Sequence, residues 1–296
     1  MQDAKTIFVT GATGNQGGAV VKSLLNNGFK VKALTRNPVS PASKKLNGLG
    51  AEVVKGDLND PSGFRNHLSG TYGIFCALTF ANGINEEIDQ GIRLANLAKS
   101  YNISHFLYSS VIGADLQTGI PHWDSKLIIE KHIRQLHIPF TIVRPASLFE
   151  NFLIPAVKQR ILKGTLISPV SKNVLQQFIG TSDIGDISSK IFLQPEYHIG
   201  RTYSLYSEKM NLENASFIFS KAMGRKVKYQ KMPMILARML MGRNLSKMFR
   251  WLNMNYDVLV KDTSAARIEF PNMLGLGQWI ELYFKNSKQG NDGRLK

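Results

Sequence analysis

The chain has 296 residues, of which 43% are hydrophobic and 20% charged, proportions typical of a globular protein with a buried core. Its single cysteine, Cys76, excludes an internal disulfide and stands in an apolar run that favours a buried, inert thiol. No apolar run approaches the roughly 20 residues of a membrane-spanning helix, and the first residues lack a signal-peptide layout. These features predict a soluble, cytoplasmic protein.

The formal net charge is +16, and most of the excess lies in the last third of the chain. Residues 200–296 contain 17 Lys and Arg against 7 Asp and Glu, whereas residues 1–199 contain 20 against 14. Strongly basic proteins often bind phosphate, nucleic acid or membrane surfaces, and composition alone does not choose among these.

Short β-type runs alternate with helical segments through the first half of the chain. The runs are "TIFVT", "KVKALT", "AEVVKG", "GIFCAL", "HFLYSS" and "FTIVRP". Gly28 is expected to end the first helix, and Asp60 with Pro61 has the form of a helix start. The alternation predicts an α/β protein with a Rossmann-type, doubly wound parallel sheet.

A glycine-containing turn follows the first predicted strand, in "FVTGATGNQGGAVVKSLL". Gly11 and Gly14 permit a tight turn, and Gly17 permits the following helix to pack closely. The turn directs backbone N–H groups at a helix N-terminus toward the edge of the sheet, where a pyrophosphate is favoured. The alternative is an ordinary tight turn. Because this turn follows the first strand of a βαβ series, however, it predicts dinucleotide binding.

The end of the second predicted strand indicates which dinucleotide is bound. An NAD site usually has an acidic residue there, whereas this chain has Arg36 and Asn37 and no acid before Glu52. A guanidinium can hold a 2′-phosphate, which a carboxylate would repel. The sequence predicts NADP(H), with NAD(H) less favoured; the alternative for Arg36 is a solvated surface arginine.

After Pro145 the pattern changes. "SDIGDISSKIFLQ" is typical of a helix, but later segments mix short strands, a Met-rich helix and loops, followed by a polar tail after about Asn286. We predict an NAD(P)-binding domain over residues 1–150 and a smaller, mixed α/β C-terminal region over 151–296 on the substrate side. Part of 175–205 is expected to return to the first domain.

Several stretches together resemble the NmrA-like family, an atypical branch of the short-chain dehydrogenase/reductase superfamily. They are "VTGATGNQGG", "TRNP", "GAEVVKGDLND", "HWDSKLIIEKHI", "TIVRPASLFENF" and "GLGQWIELY", in the order and spacing of that family over nearly the whole chain. The chain resembles most its NADP-binding, redox-sensor-like members and is similar also to bacterial NADPH:quinone reductases of the group.

The resemblance implies a set of cofactor-binding positions. The pyrophosphate would be held by Gly11, Thr13, Gly14, Asn15, Gln16 and Gly17, and the 2′-phosphate by Arg36 and Asn37. Asp57 and Leu58 would flank the adenine. Leu78, Thr79 and Phe80 would pass beside the nicotinamide ribose, Lys126 would donate to its hydroxyls, and Phe149, Glu150 and Asn151 would border the nicotinamide. One departure is Asp89, which stands where redox-sensor-like members have a lysine near the cofactor.

The candidate catalytic residues are His122, Lys126 and Ser110. Active short-chain reductases use Tyr-x-x-x-Lys, and here the spacing is retained with His122 in place of the tyrosine. An imidazole with its usual pKa near 6.5 can donate a proton at neutral pH, and Ser109 or Ser110 could polarise a carbonyl. The alternative is that His122 begins a surface helix and takes no part in chemistry.

Other classes of site have little support. The remaining histidines show no paired spacing that suggests a metal site, so structural or solvated roles are expected for His67, His105, His132, His137 and His198. There is no G-x-S-x-G elbow of a hydrolase and no Walker-type phosphate loop.

The basic surplus is concentrated in residues 221–250, which contain nine Lys and Arg and no acidic residue. Arg243, Lys247 and Arg250 fall on one helical face, opposite Leu245, Met248, Phe249 and Leu252. A solvated basic face is the plainest interpretation, and contact with a partner protein or a membrane surface is the alternative. No helix-turn-helix or zinc-finger pattern accompanies the charge, so sequence-specific nucleic-acid binding is not expected.

Two functions therefore remain open, in a monomer or homodimer. The first is an NADP(H) sensor or regulator with weak or no dehydrogenase activity, whose cofactor occupancy changes the C-terminal surface and its protein partners. The second is an NADPH-dependent oxidoreductase that acts on a quinone or an apolar carbonyl substrate.

Overall fold

The strands of this computed structural model, which describes residues 4–260 and 264–286, fall into three sheets. The strands are β1 (Thr6–Val9), β2 (Lys30–Thr35), β3 (Glu52–Lys55), β4 (Gly73–Ala77), β5 (His105–Ser109), β6 (Phe140–Pro145), β7 (Ser147–Leu148), β8 (Thr165–Ser168), β9 (Gln176–Ile179), β10 (Thr202–Leu205), β11 (Glu208–Met210) and β12 (Lys228–Lys231). Each of the six predicted runs forms one of the strands β1 to β6.

The largest sheet has seven strands in the order β10-β6-β5-β4-β1-β2-β3. Every pairing in it is parallel. The chain order reverses between β1 and β4, which is where a doubly wound sheet binds ligands beyond the carboxyl ends of its strands. The predicted Rossmann-type sheet is confirmed.

Helices cover both faces of this sheet, and further helices pack in the later part of the chain. They are α1 (Asn15–Asn26), α2 (Pro41–Gly48), α3 (Ile84–Ser100), α4 (Pro121–Gln135), α5 (Pro155–Leu162), α6 (Thr181–Leu193), α7 (Pro195–His198), α8 (Leu212–Met223), α9 (Met234–Val260), α10 (Ser264–Glu269) and α11 (Leu276–Trp279). A π-helical turn, Ile280–Lys285, follows α11.

Alternate residues of β1 face two different cores, as the period of a strand requires. Ile7 and Val9 pack with α1 and α6, whereas Phe8 packs with residues of α3 and α4. Gly28, with φ +80°, follows the end of α1 as predicted.

The connection between β3 and β4 differs from the prediction. Asp60 accepts a hydrogen bond from the Ser62 amide as a cap, but the segment forms only the short 3-10 turns Pro61–Gly63 and Arg65–Leu68. Phe64, at φ −136°, interrupts helical geometry between the two turns, so no α-helix forms.

The later part of the chain forms the smaller mixed region. A three-stranded sheet, β11-β9-β7, has one antiparallel and one parallel pairing, and β12 pairs with β8. Its separate core includes Phe149, Phe178, Phe219 and Trp279. In contrast β10 is hydrogen bonded to β6 in the large sheet. The division at residue 150 stays a prediction.

Helix α9 is not continuous. Gly242 adopts φ 80° and ψ 174°, which separates residues 234–241 from the following helical segment. Arg243, Lys247 and Arg250 are exposed and Leu252 is buried, in agreement with the predicted faces of this helix. Most of the predicted polar tail, residues 287–296, lies outside the described residues.

Candidate functional site

The glycine turn at the end of β1 is built around the backbone of Gly11. Gly11 has φ +61°, and its carbonyl accepts a hydrogen bond from the Gly14 amide at 2.9 Å. A Cβ at Gly17 would lie 2.2 Å from the Gly11 carbonyl oxygen, so only glycine fits there. The close approach predicted for Gly17 is therefore made to the turn itself. Gly14 has extended backbone angles, φ −89° and ψ 177°, which other residues also adopt.

The N-terminus of α1 is suited to an anion. No side chain caps the helix, and its first turn contains no acidic residue. The amides of Asn15, Gln16 and Gly17 are the first donors of a helix, which ordinarily lack intrahelical partners. Together with the helix dipole they form a site of the kind that binds a phosphate group. The predicted pyrophosphate positions thus fit a dinucleotide.

Hydrogen bonds fix this turn to neighbouring strands. The Thr10 hydroxyl donates to the Ala77 carbonyl at 3.0 Å and accepts from the Ala77 amide at 3.1 Å, which joins the ends of β1 and β4. The Ser109 hydroxyl donates to Gln16 Oε1 at 2.7 Å. The start of α1 is held at the switch point of the sheet, and both the Ser109 hydroxyl and the Gln16 side chain are engaged there.

Arg36 and Asn37 are exposed just beyond β2, on the side expected for the adenosine half of a dinucleotide. The amide of Asn37 donates to Thr35 Oγ1, and its side-chain oxygen accepts from the Val39 amide at 3.2 Å. The guanidinium of Arg36 lies near Glu86, whose pKa is lowered first by hydrogen bonds from Asn59 and Asn82 and to a lesser extent by Arg36. An acidic side chain therefore does lie near Arg36, contributed by α3 rather than by the end of β2.

The predicted adenine residues follow β3. Asp57 Oδ1 accepts a hydrogen bond from the Asn59 amide at 2.9 Å, and the Leu58 carbonyl accepts one from Arg93 at 2.7 Å. Both side chains are half-buried, so this loop is ordered by its own contacts.

Lys126 lies in a buried polar cluster with Glu87 and Ser125. Its ammonium lies 2.8 Å from Glu87 Oε1 and donates to the Leu78 carbonyl at 3.4 Å. The Ser125 hydroxyl donates to Glu87 Oε2 at 2.6 Å. Glu87 is fully buried and Lys126 nearly so. The structure thus brings Lys126 and Leu78 together and adds a counter-ion to the lysine; their contact with a ribose stays a prediction.

His122 is buried at the start of α4 rather than on the surface. Its ring stacks on Phe80 at 4.6 Å and meets Trp123 edge-on at 6.4 Å. His122 Nδ1 lies 3.5 Å from Asn244 Oδ1. Burial lowers the pKa of His122, an effect that Asn244 and Glu87 only partly offset. The lowered pKa favours the neutral imidazole, so His122 is less suited to donate a proton than a histidine in water.

Ser110 belongs to a different buried network. Its hydroxyl donates to Glu130 Oε1 at 2.6 Å, and Arg144 pairs with the same carboxylate at 2.6 Å. Asp115 is a second partner of Arg144. The Ser110 proton is directed toward Glu130, so this hydroxyl is not free to donate to a substrate carbonyl.

The Phe149 to Asn151 stretch has structural contacts. Phe149 is fully buried against Phe178 and Trp279, with ring centroids 5.9 and 5.6 Å away. Glu150 accepts hydrogen bonds from the Thr181 amide and from Trp279 Nε1, which fixes the start of α6. Asn151 is exposed. Contact of these three residues with a nicotinamide stays a prediction.

Of the other singled-out residues, Asp89 lies apart from this site, whereas Cys76 is buried close to Thr10 and Lys126. Asp89 is exposed in a groove on the outer face of α3 with Arg93 and Asn96. Burial raises the pKa of Cys76 to about 12.

Four of the remaining histidines, His67, His105, His132 and His198, contact polar side chains, and His137 is exposed. His105 pairs with Thr141 and His198 with Tyr203, both in the core. Within residues 4–260 and 264–286, no group of three His, Cys, Asp or Glu side chains could hold a metal ion.

The model of the NmrA-like family matches residues 3–270. The chain belongs to the NmrA-like family. One NmrA-like relative, the oxidoreductase FrzB of Cladobotryum sp, is 32% identical over 253 residues, which cover 76% of this chain and 75% of FrzB.

Solved structures of two functional kinds share the fold. NmrA, a negative transcriptional regulator in complex with NADP, is 21% identical with a TM-score of 0.80, and 99% of each chain is covered. The Escherichia coli NADPH-dependent quinone oxidoreductase QOR2, in complex with NADPH, is 20% identical with a TM-score of 0.78, over 94% of this chain and 99% of its own. The NmrA-like fold thus occurs in both a regulator and a reductase.

Sequence reasoning missed two residues of the site, Glu87 and Asn244. Neither lies in a recognisable motif, and they are separated from their partners Lys126 and His122 by 39 and 122 positions. The sequence signal for Glu87 was the acidic pair that it forms with Glu86 at the start of α3. Nothing in the sequence around Asn244 indicated a contact with His122.

Proposed function

We propose that this NmrA-like protein binds NADP(H) and acts as a dinucleotide sensor or regulator with weak or no dehydrogenase activity. The proposal of weak or absent dehydrogenase activity rests on one observation, the environment of His122. It occupies the position of the tyrosine acid in Tyr-x-x-x-Lys, yet it is buried, stacked on Phe80 and has a lowered pKa. At neutral pH we therefore expect His122 to be a weak general acid.

Binding of NADP(H) is supported by the turn and by charge. The Gly11 turn leaves the N-terminus of α1 uncapped, and Arg36 is exposed beyond β2. Lys126 is positioned by Glu87 and the Leu78 carbonyl, and could donate to ribose hydroxyls. When bound, the dinucleotide would supply or accept hydride, whereas these residues bind and orient it.

A sensor also requires a route from the cofactor to the surface. Asn244, at 3.5 Å from His122, and Lys247, which donates to the Gly119 carbonyl, both belong to α9. Helix α9 thus contacts the start of α4, which also carries Lys126. A change in His122 or Phe80 on cofactor binding would reach the basic helix through these two contacts. A protein partner there and the oligomeric state stay predictions.

The proposal is tested by NADPH titration followed by an NADPH-oxidation screen over quinones and aldehydes. Saturable binding with no oxidation above that of NADPH alone supports a sensor. Absence of binding would overturn the whole proposal.

A reductase acting on a quinone or an apolar carbonyl is the second candidate. It is supported by relatives named as oxidoreductases and by the flat apolar rings of Phe80 and Trp123 beside His122. Reduction of a quinone could take its protons from water and would not need a strong acid at His122.

Matched lysine variants separate the candidates. Saturable, quinone-dependent oxidation that is lost in Lys126→Met but retained in Lys131→Met, an exposed lysine on the same helix, would favour the reductase. Oxidation that rises as the pH falls and is reduced in His122→Gln would further identify His122 as its proton donor.

A further inference from the structure

The first segment of α9, residues 234–241, exposes its large apolar side chains. Ile235, Leu236, Met239 and Leu240 are 79%, 40%, 77% and 67% exposed, whereas Ala237 on the opposite side is fully buried. Their spacing places the four side chains on one face of the helix. We call these four residues the α9 apolar face. A contiguous exposed patch of this kind is typical of a contact surface.

Basic side chains surround the α9 apolar face in sequence. All nine Lys and Arg residues of 221–250 are exposed: Lys221, Arg225, Lys226, Lys228, Lys231, Arg238, Arg243, Lys247 and Arg250. Among the residues that the structure describes, no ion pair joins any of the nine to a carboxylate. The nearest acidic residues in the sequence are Glu213 and Asp257.

This combination favours one kind of occupant. Exposed Leu, Ile and Met side chains next to Lys and Arg without a carboxylate partner match the acyl boundary and the anionic headgroups of a lipid bilayer. A second copy of this chain would bring the same positive charge to the contact and be repelled. Nucleic acid would leave the apolar side chains without a partner.

We propose that residues 221–250 dock this protein on the surface of an anionic membrane, with the α9 apolar face inserted at the interface. None of the described helices is long and apolar enough to cross a bilayer, so the contact is peripheral. The backbone break at Gly242 allows residues 234–241 to lie in the membrane plane while Asn244 stays beside His122.

Sedimentation with vesicles tests this proposal directly. The full-length chain is mixed with vesicles of phosphatidylcholine alone or of phosphatidylcholine with phosphatidylglycerol. We expect sedimentation with the anionic vesicles only, and weaker sedimentation as salt is added, because the headgroup attraction is screened.

Matched variants separate the two components of the contact. The variant Ile235→Ser/Met239→Ser/Leu240→Ser should lower the partition coefficient by about tenfold or more. The control Val39→Ser/Leu193→Ser changes exposed apolar residues elsewhere and should have no effect. Lys231→Glu/Arg238→Glu should weaken binding more than Lys22→Glu/Lys45→Glu, which alters net charge equally at exposed positions.

Three results would overturn the proposal. One is no sedimentation with anionic vesicles, and another is equal binding by the serine variant and the native chain. The third is concentration-dependent dimerisation that the serine variant loses, without vesicle binding, which would identify the α9 apolar face as an interface between copies of the chain. Because all the changed side chains are exposed, circular dichroism should show a native fold in every variant.

Discussion

The ammonium of Lys126 lies 2.8 Å from Glu87 Oε1, and both side chains are buried beneath the carboxyl ends of β4 and β5. The lysine of the H-x-x-x-K stretch is therefore an ion-paired group, with Ser125 donating to the second oxygen of the same carboxylate. This pair fixes where Lys126 can donate, and it makes the stability of the site depend on both partners.

Removal of Lys126 alone should be costly. Lys126→Met leaves the carboxylate of Glu87 buried without its counter-ion, which we expect to lower the free energy of unfolding by about 3–5 kcal/mol. The double variant Glu87→Leu/Lys126→Met should recover much of this loss, because no buried charge remains. Urea denaturation of both, with Lys131→Met as the exposed control, measures the difference. Equal loss in single and double variants would contradict the pairing.

Adjacent glycines of α1 should respond differently to alanine. Gly17→Ala places a Cβ 2.2 Å from the Gly11 carbonyl oxygen and must distort the turn, whereas Gly18→Ala meets Ala12 at 3.4 Å. We expect Gly17→Ala to weaken NADPH binding and lower the melting temperature, and Gly18→Ala to do neither. Calorimetric titration and thermal unfolding provide the two measurements. Similar behaviour of both variants would show that the turn tolerates side chains.

Gly14→Val separates binding from folding at the same turn. Because Gly14 has extended backbone angles, valine is compatible with the fold, although its Cβ comes 3.3 Å from the Gly11 carbonyl oxygen. The branched side chain would stand where the pyrophosphate is expected. We predict a native circular dichroism spectrum with loss of NADPH binding. Unchanged affinity in a folded Gly14→Val protein would place the dinucleotide elsewhere.

Arg36→Ala tests the choice of dinucleotide. Loss of a charged hydrogen bond, worth about 1.5–3 kcal/mol, should weaken NADPH roughly 10- to 150-fold. NADH affinity should stay nearly the same, since NADH has no 2′-phosphate. Lys22→Ala, which removes an exposed charge on α1, is the matched control. A similar loss of NADPH affinity in Lys22→Ala would show that the effect comes from net charge and not from a contact between Arg36 and the 2′-phosphate.

Asp183 predicts a pH dependence of stability. Burial raises its pKa from 3.8 to about 7, against hydrogen bonds from the Leu274 and Gly180 amides that lower it. The folded state therefore holds a proton more tightly than the unfolded chain, and this stabilisation is lost as the pH rises from about 4 to about 7. Asp183→Asn should increase stability relative to the native chain over that interval, by up to about 4 kcal/mol. Asp89→Asn, at an exposed position, should show no such trend in urea denaturation at a series of pH values.

The sheet was predictable because each of its first six strands has a recognisable pattern within a few consecutive residues. Each of the strands β1 to β6 is a short apolar run, and the glycine turn after β1 has its own residue pattern. The segment after Asp60 was predicted less well, since its capping residues are the same for a 3-10 turn as for an α-helix.

The contacts within the site were harder to predict than its location. The lysine at position 126 could be singled out from H-x-x-x-K, but its partner Glu87 comes from another helix. The lowered pKa of His122 results from burial under Phe80 and α9, which depends on chain segments more than 40 positions away on either side. The hydrogen bond from Ser110 to Glu130 could not be predicted either, because it depends on how α4 packs against the sheet.

Calorimetric titration of the native chain with NADPH and, in parallel, with NADH tests the central claim most directly. The uncapped start of α1 and the exposed Arg36 predict saturable binding of NADPH, at least about tenfold tighter than that of NADH. Absence of NADPH binding, or equal affinity for the two dinucleotides, would contradict the account of an NADP(H)-binding protein.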